Sequence, residues 1–354
     1  MTTQATLDTN RLEAFLEKFV MDAGAALHAA TVVLGDRLGL YRALAEGDAT
    51  AAELASRTHC HERMILEWLR AQAAAGYVEY DTQAGRYSLT PEQSFALAAS
   101  DGVAAPSIFL VAESMMRDLD RLEVAFRTGQ GVGWHEHHES LFHGTERFFR
   151  PSYASHLISS WIPALEGVQS KLERGARIAD VGCGHGASTI LMGQAFPNST
   201  FVGFDYHEPS VERARALAQE AGVAEWVTFE VALAKEFPGR NWDLVGFFDC
   251  LHDMGDPAGA ARHVRESLAP DGTWMIVEPL AADRDEDNFH PLGRVSYSVS
   301  TLVCTPASLS QEVGTALGAQ AGEARLSETV RAGGFTRVRR AAETLFNMVL
   351  EARP

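Results

Sequence analysis

Three groups of residues have types and spacings that could do chemistry. The first is Asp180-Val-Gly182-Cys-Gly184-His-Gly186, behind an apolar run from Ala176 to Val181 that reads as a buried strand. Glycine is needed where a backbone must turn sharply and approach a ligand with no side chain in the way. Gly182, Gly184 and Ala187 satisfy the dinucleotide pattern GxGxxG/A, and Asp205 stands 23 residues beyond the first glycine, where a ribose-binding acid belongs. Asp180 ahead of the loop and a third glycine at 186 shift that reading. A carboxylate there suits a ligand bearing an ammonium group and sits poorly beside a pyrophosphate. A plain strand-to-helix turn needs fewer glycines.

The second group is Leu251-His252-Asp253 with Glu278. Histidine titrates closest to neutral pH and can take a proton from a hydroxyl. His252 follows the apolar run Trp242 to Phe248, which puts it at the carboxyl edge of a parallel sheet, where open α/β folds bind ligands. A loop-capping histidine and a solvated Glu278 would carry the same letters. The third group is Trp134-His-Glu-His-His-Glu139, followed by Arg147 and Arg150. Its spacing does not match a closed zinc site, so no metal is expected. Trp134, His135 and His138 are candidates for the polar wall of a substrate pocket, with a solvated loop as the alternative. Arg147 and Arg150 would suit a carboxylate substrate or form surface ion pairs. Cys183 and the Phe148-Phe149 pair read as packing.

The elements that must position these groups divide the chain into three parts: residues 1–100, 101–170 and 171–354. In the first, apolar residues recur at three and four from residue 11 to 45, predicting helix. Thr50-Ala-Ala-Glu53 is a capping box opening a short helix through Ser56, and a second helix is expected from Glu62 to Ala75. Gly76 to Tyr80, a polar turn and Arg86 to Leu89 read as a hairpin. Helix, helix, hairpin is a winged helix-turn-helix order. Residues 101–170 read as a helical connector reaching the substrate pocket. From residue 171 onward short β-rich runs alternate with helical stretches, the signature of a parallel α/β sheet. Strands are expected at Thr200–Asp205, Val227–Val231, Trp242–Phe248 and up to Glu278, a helix at Pro257–Leu268, and a closing pair at Arg337–Ala342 and Phe346–Ala352.

The run Asp-x-Gly-x-Gly-x-Gly resembles the first motif of class I S-adenosylmethionine-dependent methyltransferases. The ordered strands behind it and the winged helix ahead of it resemble the small-molecule O-methyltransferases of plants and bacteria, which use the winged helix to dimerise. The resemblance implies a Rossmann-like methyltransferase sheet preceded by a mainly helical winged-helix domain, S-adenosyl-L-methionine as cofactor and a homodimer. It places Asp180, Gly182, Gly184 and Gly186 at the methionine end, Asp205 on the ribose, Tyr206 beside the adenine, and Asp249 with the cofactor residues. Ala232 and Leu233 stand where that family often has an acid. His252 and Asp253 match the family's His-Asp, whose histidine is the base, and Glu278 the acid that orients it. Met254 replaces the tryptophan that usually follows. Oxygen is the expected acceptor atom. A thioether sulfur is the second reading, because bacterial enzymes that S-methylate methylthiohydroxybutyrate share this plan and need no base.

Composition bounds the alternatives. With 354 residues, 46% hydrophobic and 22% charged, the chain reads as folded and multidomain. The net charge is −17, and residues 1–100 carry eight Lys/Arg against thirteen Asp/Glu. Affinity for a nucleic-acid backbone comes mainly from neutralising phosphates, so neither nucleic acid nor an anionic membrane is an expected partner. Cys60, Cys183, Cys250 and Cys304 form no CxxC pair and read as reduced thiols. The polar start, Met1 to Arg11, suggests no secretory leader, and charges interrupt the apolar stretch Met21 to Leu40. A soluble cytoplasmic enzyme is expected. A metabolite-sensing winged-helix regulator and an NAD-dependent oxidoreductase are the remaining rivals.

Overall fold

In the computed structural model, which describes residues 7–99 and 102–354, contacts gather into two units. One comprises Met1–Glu113 with His143–Pro151, the other Ser114–Phe142 with Ser152–Pro354. The boundary expected at residues 100 and 101, and the first six residues of the polar start, lie outside the described residues.

The first unit opens with helix α1 (Thr9–Arg37), capped by Asp8, whose carboxylate accepts from the backbone of Asn10 and Arg11. The periodicity predicts one helical stretch to residue 45, but Gly39 takes a left-handed φ of 69° and starts a separate α2 (Leu40–Ala45). The capping box forms as expected and opens α3 (Ala51–Thr58), followed by α4 (Glu62–Ala74). The hairpin strands β1 (Glu79–Asp81) and β2 (Arg86–Ser88) pair antiparallel and are shorter than the sequence suggests. Val32, Leu40, Leu44, Leu54, Ile65, Trp68 and Leu69 form the core of this winged helix. At its polar centre, buried Gln72 accepts from the Tyr41 hydroxyl at 2.7 Å and donates to Thr31 at 2.9 Å. By contrast α1 leaves Phe15, Leu16, Phe19, Val20, Met21 and Leu27 exposed. Among the described residues α1 is the one helix long and apolar enough to cross a membrane, judged by length and composition alone.

The second unit is built on seven strands: β3 (Arg177–Val181), β4 (Thr200–Asp205), β5 (Val227–Val231), β6 (Trp242–Phe248), β7 (Leu268–Pro279), β8 (Arg337–Glu343) and β9 (Asn347–Arg353). Their order across the sheet is β5-β4-β3-β6-β7-β9-β8. The first five run parallel, β9 lies antiparallel to β7, and β8 antiparallel to β9. Parallel strands need helices on both faces, which is why β3 and β6 read as nearly continuous apolar runs. Phe204, Val245, Phe247, Trp274, Ile276 and Leu350 sit in the resulting core. The chain leaves β3 toward β4 on one side and later returns to β6 on the other. That reversal opens a crevice at the carboxyl ends of β3 and β6, the usual ligand position in such sheets. After β7 the chain becomes helical at Pro291–Val299, makes a wider turn at Ser300–Cys304 and continues as Thr305–Leu309.

Candidate active site

The carboxyl edge of the sheet collects most of the residues singled out by type. Behind β3, Gly182, Gly184 and Gly186 take φ values of 73°, 52° and 79°. A Cβ on Gly182 would come within 2.7 Å of Cys250 Sγ, and one on Gly186 within 2.5 Å of Phe229. A Cβ on Gly184 would meet nothing within 4 Å, so this part of the loop faces open space. Asp180 is fully buried, and its Oδ2 accepts from Ser188 and Thr189, each at 2.6 Å, in the first turn of the helix Ala187–Ala195. Its Oδ1 is also buried and has no hydrogen-bond partner among the described residues. Burial pushes the carboxyl up to about 6, against the opposing pull of the two hydroxyls. A cation arriving at Oδ1 would relieve that penalty.

At the end of β4, Asp205 accepts from the backbone of Gly184 and of His207, both at 2.9 Å. Burial raises this carboxyl too. Each of its oxygens retains acceptor capacity for a hydroxyl. Tyr206 stands beside it, edge-on to His135 at 5.8 Å, and Phe142 stacks on His207 at 4.7 Å. Trp134 packs against Phe142 in turn. An orphaned buried carboxylate oxygen, an open glycine and an acid ending the next strand fit a ligand with an ammonium group at one end and a diol at the other.

Beyond β6 the chain turns at Asp249, whose φ is 51°. Its carboxylate accepts from Tyr153 at 2.8 Å and Asn347 at 2.7 Å. Burial, reinforced by Glu278, pushes it up to about 8. His252 follows on a single 3-10 turn, Leu251–Asp253, and is 4% exposed. Its Nδ1 hydrogen-bonds Glu278, which is itself held by the backbone N–H of Leu251 at 2.8 Å. Nε2 lies 3.2 Å from Asp253 Oδ1. Burial alone would lower the imidazole, but Asp253 and Glu278 together override it and raise His252 well above its ordinary value. With Nδ1–H donating to Glu278, the neutral ring carries its lone pair on Nε2. Cys304 completes the cluster: polar atoms of His252, Asp253 and Cys304 lie within 4.8 Å of one another, a spacing that could hold a metal ion. Burial pushes the Cys304 thiol up to about 12, away from the thiolate that a metal prefers.

The other sequence candidates fall in different places. His138 uses Nδ1 to accept from the backbone N–H of Ser140, the first residue of the helix Ser140–His156. His135 is exposed. Arg147 and Arg150 belong to the first unit. There Arg147 makes a two-point ion pair with Asp36, at 2.6 and 2.9 Å, and Arg150 lies 3.9 Å from Glu146. Sequence reasoning missed Tyr153, Cys304 and Asn347, which reach the edge from distant segments. It also missed Ser188 and Thr189, which a check on what partners a buried Asp180 would have found.

Comparison with known proteins finds matches to two domains. Residues 172–314 match the family described as Methyltransferase domain, and residues 25–99 the Rv2258c-like winged HTH domain. The chain is 31% identical over 140 residues to the 27-O-demethylrifamycin SV methyltransferase of Amycolatopsis mediterranei, covering 37% of this chain and 51% of that protein. It is 27% identical over 291 residues to the O-demethylpuromycin-O-methyltransferase of Streptomyces alboniger, covering 74% and 72%. The match thus spans about half the length of the first relative and more of the second. In fold it is similar to mitomycin 7-O-methyltransferase (TM-score 0.72, 19% identity, 98% and 100% coverage). It is equally similar to human N-acetylserotonin methyltransferase in complex with S-adenosylmethionine (0.71, 18%, 99% and 99%). Fold and sequence match together place a methyltransferase domain at residues 172–314. Ahead of it residues 25–99 match a winged helix-turn-helix domain, and the whole chain shares its fold with solved O-methyltransferases.

Proposed function

We propose that the enzyme methylates a hydroxyl oxygen of a small molecule, with His252 as general base. S-adenosylmethionine, when bound, supplies an electrophilic methyl group on a sulfonium. On this reading Asp180 and the glycine loop hold the ammonium end, Asp205 the ribose diol and Tyr206 the adenine. Glu278 keeps His252 in the tautomer whose Nε2 can take the acceptor's proton while the new oxygen–carbon bond forms. The observation that carries the proposal is the buried Glu278–His252 pair at the carboxyl edge of the sheet. The relatives named for O-demethylated substrates agree with oxygen as the acceptor atom. Replacing His252 with Ala should leave S-adenosylhomocysteine affinity nearly intact while cutting turnover of a hydroxyl acceptor by about 10²-fold or more. An unchanged rate removes the base assignment.

The same reading makes the enzyme a soluble, cytoplasmic homodimer that does not bind nucleic acid. Its four cysteines carry free thiols, as in a reducing compartment. The exposed apolar residues of α1 recur at Leu12, Phe15, Leu16, Phe19 and Val20, with Glu13, Glu17 and Lys18 between them. That spacing lays a stripe along one face, which suits a second copy of the helix better than lipid on all sides. Sedimentation without detergent should give a soluble species of two chains, reduced to one by Phe15→Glu with Phe19→Glu. A single-chain or detergent-dependent wild type refutes the dimer.

A further inference from the structure

His135, His137 and His138 are neighbours in sequence, yet only His137 is turned inward, at 5% exposure. Its Nδ1 lies 2.8 Å from Asp118 Oδ2. The same carboxylate oxygen accepts from the Ser114 hydroxyl at 3.1 Å and from the His138 backbone at 3.3 Å, so the acid is fixed before it meets the ring. Nε2 is buried and has no hydrogen-bond partner among the described residues. A buried polar atom left unpaired is costly, and in a folded protein it calls for a partner.

The segment around His137 is fastened on two sides of the site. Val132 donates its backbone N–H to Pro306 O at 3.0 Å, on the helix that directly follows Cys304. On the other side Phe142 stacks on His207, and His135 meets Tyr206, both at the end of β4. His137 therefore belongs to a bridge running from the cofactor end to the turn that touches His252 and Asp253.

We infer that His137, oriented by Asp118, is a second acceptor-contacting histidine, and that the acceptor carries two neighbouring hydroxyls, one facing His252 and one facing His137 Nε2. Nδ1–H donates to Asp118, so in the neutral ring Nε2 carries the lone pair and asks for an O–H donor. A hydrogen atom or a methoxy group in that place would leave Nε2 unpaired. Sites built to bond a hydroxyl discriminate well against analogues that lack it. This inference rests on the O-methyl transfer reading and adds the class of substrate: a dihydroxylated compound methylated at one of its two oxygens.

The test is methyl transfer from S-adenosylmethionine to catechol and 2,3-dihydroxynaphthalene, each compared with its mono-hydroxy counterpart, phenol or 2-naphthol. Wild type should prefer the diols in kcat/KM. His137→Asn keeps an amide nitrogen near the position of Nδ1, and with it the Asp118 bond, but places nothing at Nε2. Its diol preference should fall about tenfold. His137→Gln, which returns a polar atom near Nε2, should recover part of it. S-adenosylhomocysteine affinity should be unchanged in both variants, which shows that the fold survives. A wild type indifferent to the second hydroxyl, or a preference that His137→Asn leaves intact, overturns the inference alone; a buried water on Nε2 would give that result. S-adenosylhomocysteine binding without transfer to any of the four probes overturns it together with the hydroxyl reading.

Discussion

At the end of the site proposed for the cofactor, Asp180, three glycines, Ser188 and Thr189 come from ten consecutive residues. At the end proposed for the acceptor, His252, Glu278, Cys304 and the Asp118–His137 pair come from segments scattered between residues 118 and 304. The first is a backbone device: a strand, a loop whose φ values favour glycine, and a helix start, all local. The second is a side-chain device that exists only once the whole unit has packed. Their electrostatics differ in the same way. Asp180 holds a carboxylate oxygen without a counter-charge, ready for an incoming cation. His252 already has its counter-charges, Glu278 at one ring nitrogen and Asp253 near the other.

That contrast predicts opposite responses to pH, and the larger belongs to the acceptor end. His252 is raised well above its ordinary value of 6.5, because Asp253 and Glu278 outweigh burial. A base must be neutral to act, so kcat/KM should climb by up to about tenfold per pH unit through the neutral range until the imidazolium has titrated. The sign for stability is the reverse. A histidine raised on folding contributes stability that is fully present below its unfolded value and lost as pH rises through the folded one. Activity should therefore rise over the same window in which this cluster's contribution to thermal stability declines. The measurement is kcat/KM and Tm from pH 6 to 9 in wild type and His252→Ala. A flat wild-type profile, or the same break in the variant, breaks the assignment.

The contrast also accounts for what was legible in the sequence. Strands at Thr200–Asp205, Val227–Val231 and Trp242–Phe248 stand where the sequence puts them, because buried parallel strands are short apolar runs with clear polar borders. The glycine loop was legible because its chemistry is local. The Glu278–His252 contact could be anticipated because Glu278 lies at the end of β7 and His252 just beyond the end of the adjacent parallel β6, at one edge. Cys304 could not, since it arrives on a widened helical turn about fifty residues beyond His252 with no periodic signal of its own. Nor could the choice among His135, His137 and His138. Which of them turns inward depends on where Asp118 lies, and that is set by the packing of the helix Ser107–Arg117 and the turn after it. In the first unit the break at Gly39 was hidden by an apolar rhythm that continues across it.

The smaller prediction concerns the cofactor end. With its carboxyl pushed up to about 6, Asp180 begins to protonate in mildly acidic buffer when no cation is present. An ammonium group beside Oδ1 favours the ionised form, so cofactor binding should pull the value down, and by linkage the affinity must fall as pH drops through that range. The Kd of S-adenosylhomocysteine should be nearly constant above pH 7 and should rise below pH 6 toward a limit of about tenfold per unit. Asp180→Asn should weaken binding about tenfold at pH 7.5, as expected for a lost charge-assisted contact, and should flatten the acid limb. Asp205 is the necessary control, because burial raises it as well. If the acid limb survives in Asp180→Asn and disappears in Asp205→Asn, the titrating group is the one at the end of β4. The ammonium contact would then have to be sought elsewhere in the loop, and the cofactor end would no longer be the single local device that its ten residues suggest.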